Sequence, residues 1–157
     1  MTQENKKLLL KDLCARLPFN VKIHNPHPRF PNTDEYIQTL TDVHGTMQSN
    51  WITFGTDCEE INVNWNIGNK EEDVPKPYLR PMSSMTEEEK EELRQEHLKD
   101  EKLYAECITR AEHSDNSMHG KVIPHFAADW CNEHHFDYRG LIPKGLAIEA
   151  PNDMYNN

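Results

Sequence analysis

The side chains with the most chemical capacity crowd the C-terminal third: His113, His119, His125, Cys131, His134, His135 and Asp137. Imidazole nitrogen and thiolate sulfur are the ligands that a tetrahedral zinc ion prefers. Cys131 and His135 are spaced i, i+4, one turn of a predicted helix, and His119 or His125 would complete a set of ligands. Zinc-dependent hydrolysis is the reaction such a cluster would support. The spacing argues the other way. H-E-x-x-H, H-x-H and C-x-x-C are all missing, and Trp130 and Phe136 beside the candidates read as packing positions. The expectation is therefore no cofactor, with zinc at His119, His125, Cys131 and His135 as the alternative.

A second group could bind rather than react. Arg139, in Asp137-Tyr138-Arg139, offers a planar fork for a partner's carboxylate or phosphate; equally, Asp137 and Arg139 can tie the last helix to the tail. Tyr78, Arg80 and Tyr104 join Asp137, Tyr138 and Arg139 as candidate binding residues, aromatics forming the centre of an interface rimmed by charge. No G-x-S-x-G or G-x-x-x-x-G-K-[ST] is present, so neither a nucleophile elbow nor a phosphate-cradling loop is indicated. Cys14, Cys58, Cys107 and Cys131 stand far apart and read as reduced, buried thiols. The residues point away from an enzyme.

The elements that must position these groups differ along the chain of 157 residues. Residues 2–16 form an amphipathic helix with Thr2 as cap, Leu9, Leu13 and Leu17 on one stripe, and Lys6, Lys7 and Lys11 on the other side. Alternating apolar and polar residues predict strands over 19–24, 34–43, 51–55 and 61–67, the second with Ile37, Thr39, Thr41 and Val43 on one face. Pro75, Pro77 and Pro81 make 76–85 a stiff hinge that offers Tyr78, Leu79 and Met82 for docking onto the protein's own helices. Thr86 and Glu89 then form a capping box opening a helix whose narrow stripe, Leu93, His97, Tyr104, Ile108 and Ala111, continues to about residue 112. A further helix opens after Pro124, and Leu141, Ile142, Leu146 and Ile148 clamp an extended tail that frays over 152–157.

These patterns predict one α+β domain over 1–157: a helix plus a β part (1–75), the hinge (76–85) and a helical part (86–157). The sheet is expected to be small and mainly antiparallel, or a partly open barrel. Net charge is −10, yet residues 1–33 are basic overall. An acidic exterior disfavours nucleic acid, whose phosphates supply most nonspecific affinity. If nucleic acid binds, Lys6, Lys7, Lys11, Arg16, Lys22 and Arg29 are the patch. No apolar run reaches the ~20 residues of a membrane helix, and the first residues lack a signal-peptide core. A cytoplasmic location and a protein partner are expected.

Three stretches carry a resemblance: Leu8–Pro18, Lys76–Glu89 with KPYLRPMSSMTEEE, and Trp130–Pro151 with HHFDYRGLI-KGLAIEAP. They resemble small proteins encoded by phages, prophages and other mobile elements of gut bacteria. Pro143 stands where that group carries Glu, and Cys131 where it carries Leu, which counts against a metal site at the cysteine. The resemblance implies a genetic setting, a bacterial host cell, and no mechanism.

Overall fold

The structure, a computed structural model, describes residues 1–26, 37–45, 51–64, 74–96, 98–99 and 126–155. Helix α1 (Gln3–Arg16) starts as the sequence predicts, the Thr2 hydroxyl accepting the Asn5 amide at 3.1 Å. Pro18 turns its end into a short 3-10 segment, Leu17–Phe19, and Asn20 follows in the left-handed region at φ 54°. Asparagine tolerates that conformation better than most residues. The predicted first strand is thereby shortened to β1 (Lys22–His24).

Strands β2 (Ile37–His44), β3 (Trp51–Thr56), β4 (Glu60–Asn64), β5 (Lys76–Leu79) and β6 (Ile148–Glu149) complete one sheet in the order β4-β3-β2-β1-β5-β6. All pairs are antiparallel except β5 with β6. The α+β class and the mainly antiparallel sheet are as read from the pattern. Leu9 and Leu13 of α1 pack on Val21, Ile23, Leu40, Ile52, Phe54 and Leu79 from the strands, and on Leu141 and Leu146 from the tail. Each such side chain contributes about 1.5–3 kcal/mol when fully buried.

Four readings are corrected. Residues 76–79 are not a hinge but strand β5, between β1 and β6. Pro77 fits there because it has no N–H to give, so its pair with Ile23 is the kind that exchanges no hydrogen bonds. Leu79 is buried as expected, whereas Met82 is 41% exposed. On β2 the two faces divide as the alternation has them: Gln38 and Leu40 are buried on one, and Ile37 on the other is 41% exposed. A polar Gln38 goes inside because Asn25 donates to its side-chain oxygen at 3.3 Å and to Glu59 at 2.7 Å. Cys14 and Cys58 are exposed; among the predicted buried thiols, Cys131 alone lies in the described interior.

The basic side of α1 is the fourth correction. Lys6 is buried, and Arg16 is 0% exposed. The Arg16 Nε donates to Asp12 Oδ2 at 2.8 Å, and its Nη2 donates to Asp12 Oδ1 at 3.3 Å and to the Phe136 carbonyl at 2.8 Å. Arg139 adds a second guanidinium, Nη1 to Asp12 Oδ1 at 2.8 Å. A second apolar cluster sits beyond this network: Met85, Trp130, Cys131 and Phe136, with Leu93 and Tyr138 against it. Leu93 comes from helix α2, whose residues 87–96 are described, and Trp130 and Cys131 come from α3 (Phe126–Glu133).

Removing Asp12 would strand two arginines, one of them wholly buried. Asp12→Ala is expected to lower unfolding stability by about 3–5 kcal/mol, measured by urea denaturation. Asp153→Ala, at an exposed position, is expected to change it by less than about 0.5 kcal/mol.

Candidate functional site

A cleft of about 490 Å³ opens where five segments meet. The end of the 3-10 turn supplies Phe19 and Asn20, β1 supplies Lys22, and the residue after β5 supplies Arg80. Glu133, His134 and His135 come from the end of α3, and Met154 and Tyr155 from the tail. That tail, predicted to fray, is described as turns over residues 152–155.

The end of α3 sets the three central residues. The His135 amide donates to the Asn132 carbonyl at 3.2 Å and the Phe136 amide to the Cys131 carbonyl at 2.8 Å. This pair of bonds is a Schellman stop, whose left-handed position usually holds glycine. Here it holds His135 at φ 59°, which costs about 1 kcal/mol in backbone energy. Two contacts offset that cost. Phe136 and Cys131 pack together in the second cluster, and the His135 ring stacks on Tyr155 with centroids 3.7 Å apart. His134 stacks on Trp130 at 4.1 Å. The Cys131–His135 pair proposed from i, i+4 spacing is therefore not on one helical face, because the helix ends at Glu133. Burial raises the pKa of the Cys131 thiol, with Arg16 opposing.

Burial pushes the His135 pKa down to about 4, and the positive charges of Arg16, His134, Arg80 and Lys22 push the same way. The imidazole is thus neutral at ordinary pH. Its Nδ1 is buried and has no hydrogen-bond partner among the described residues. The cations around it are largely engaged. Lys22 Nζ donates to Thr39 Oγ1 at 2.6 Å. Arg80 lies over the Phe136 ring at 4.2 Å and grips Glu89 with both ends of its fork, at 2.7 and 3.0 Å. Burial opposes ionisation of Glu89, yet the Arg80 fork and the Thr86 amide hold its carboxyl below the usual range. Glu89 also completes the predicted capping box, accepting the Thr86 amide at 2.8 Å while its own amide donates to Thr86 Oγ1 at 3.2 Å.

The candidate binding residues do not converge on this cleft. Tyr78 is half-buried, and its carbonyl accepts the Tyr155 hydroxyl at 2.8 Å. The Asp137 carboxylate caps the turn Ile142–Lys144, accepting the Leu141 and Ile142 amides at 2.7 and 2.8 Å. Arg139 pairs with Asp12 rather than with Asp137, and lies 4.7 Å from the centre of the Tyr138 ring. Of the five that are described, Arg80 alone lines the cleft. Tyr104, His113, His119 and His125 lie outside the described residues. Among the described residues no three His, Cys, Asp or Glu side chains gather as a metal site would require. Five cleft residues, Phe19, Asn20, Glu133, Met154 and Tyr155, were missed. Phe19 and Asn20 lie in the alternating run read as the first strand, and Met154 and Tyr155 lie in a polar C-terminal stretch with no periodic neighbour to mark them.

His135 gives the site a pH signature. Its folded pKa lies below the unfolded value, so the unfolded chain binds the proton first as pH falls. Stability is complete above about pH 6.5 and is lost down to about pH 4, by roughly 3 kcal/mol. His135→Asn, which tolerates the left-handed backbone, is expected to fold and to show a shallower acid loss than wild type over that window. Urea midpoints at a series of pH values measure the difference; parallel curves would remove His135 as its source.

No protein-family model matches this chain, and no curated protein or solved structure matches it.

Proposed function

We propose that the chain is a non-enzymatic accessory protein of a phage or mobile element, acting in the host cytoplasm by binding another protein. The specific form is an inhibitor that engages the basic, nucleic-acid-handling surface of a host defence protein. Helix α2 carries this reading. It is closed by its own capping box and fixed to the body by Leu93 and by the Arg80–Glu89 pair. Its other faces are exposed and rich in carboxylates: Glu87, Glu88, Glu91 and Glu92. The cations Lys90 and Arg94 turn back on Glu87 and Glu91, leaving Glu88 and Glu92 on adjacent turns at the surface. A rigid row of carboxylates meets a basic surface with the same charge that a phosphate backbone would bring.

The alternative, a nucleic-acid module built on the basic N-terminal third, loses Lys6 and Arg16 to the interior. Its remaining described cations are too few to offset a net charge of −10.

Capture from host lysate tests the proposal with wild type beside Glu88→Gln/Glu92→Gln. A partner retained at low salt, released at high salt, and held about tenfold more weakly by the double variant is the expected result. Equal retention by the variant, or no partner at any salt, would overturn it.

A further inference from the structure

The seam between β1 and β5 holds an arrangement unconnected with the acidic helix. Their register pairs His24 with Lys76 and Ile23 with Pro77, and one more step sets Lys22 opposite Tyr78. Since the proline pair exchanges no hydrogen bonds, the alternation of an antiparallel ladder makes Lys22 and Tyr78 a bonded pair. The pairing stops short of it. The Lys22 amide donates instead to the Tyr155 hydroxyl at 3.1 Å, and that hydroxyl donates to the Tyr78 carbonyl at 2.8 Å. A phenol from the tail stands in a gap where two strands would otherwise close on each other.

Such a wedge can leave at little cost in hydrogen bonds. With Tyr155 in place, one amide and one carbonyl are satisfied through its hydroxyl. With it gone, the same amide and carbonyl can join directly, and the phenol turns to water. The ring contributes to the closed state through its burial and its stack on His135, both at the cleft wall. In the rest of this tail Pro151 to Asp153 are exposed, and the Met154 amide donates one turn back, to the Pro151 carbonyl at 3.1 Å. Two arrangements of one seam, differing by a single side chain, make a two-state element.

We propose that residues 151–155 are a releasable strap over the cleft, latched by the Tyr155 hydroxyl in place of a strand-pairing hydrogen bond. Release closes the β1–β5 seam by one residue pair and takes Met154 and Tyr155 off the cleft wall. Lys22 and His134, half-buried with the strap in place, are then open beside the exposed Glu133.

Hydrogen exchange on two full-length variants distinguishes the two states at one amide. Tyr155→Phe keeps the ring in the seam without its hydroxyl, so the Lys22 amide is expected to exchange roughly tenfold faster. Tyr155→Ala empties the seam, so Lys22 pairs with Tyr78 and its exchange stays within about twofold of wild type. The amides of Leu9, Ile52 and Phe54 are expected to be unaffected in both. Three results would overturn the proposal. Unchanged exchange in Tyr155→Phe means the hydroxyl latches nothing. Equal acceleration at Lys22 in both variants means the seam has no second arrangement. Faster exchange at the core amides in Tyr155→Ala means the tail is part of the core.

Discussion

One carboxylate in the interior, that of Asp12, holds the two ends of the chain to each other. It sits on α1 without solvent exposure and receives Arg16 from its own helix and Arg139 from beyond α3. Arg16 passes the connection on to the Phe136 carbonyl. Ions taken out of water lose several kcal/mol of hydration each, and only good geometry with further hydrogen bonds returns it. That is why the segment from Phe136 to Arg139 has one acceptable position, and why the Schellman stop, the Asp137 cap and the cleft all stand where they do.

The same economy runs through three other cations. Arg80 spans Phe136 and Glu89, Lys22 reaches Thr39, and Arg139 serves Asp12. Arg16, Arg80 and Arg139 are thus used as internal struts, while the carboxylates of Glu87, Glu88, Glu91 and Glu92 face water. The field around α2 follows from where the arginines went, as much as from how many acids the helix has.

The legible parts of the fold were those with a repeating signal. The Thr2 cap, the Leu9 and Leu13 stripe, the Thr86–Glu89 box and the alternation over β3 and β4 each involve several residues agreeing on one geometry. The prolines misled. Three within seven positions suggest a break, but an isolated proline is tolerated wherever its ladder position asks for no donor, and Pro77 has such a position. Lys6 and Arg16 were placed outside by polarity, though a partner distant in sequence, the Phe136 carbonyl, draws Arg16 in. The candidate site was the least readable. Asp137 and Arg139 look like a local pair, and only the arrival of α1 reassigns Arg139 to Asp12. Tyr155 works through a hydroxyl aimed at two strands, and nothing in its own neighbourhood announces them.

Strand β5 has consequences for how the protein is made. Its neighbours are β1, from near the start of the chain, and β6, which follows α3. A ribosome releasing β5 finds one flank available at once and the other still untranslated. Leu79 and the carbonyls facing β6 stay open during that interval, when a chaperone or another nascent chain has access to them. The last strand, two residues long, is in this sense a closing stitch, and its lateness makes the growing polypeptide more vulnerable than the finished one.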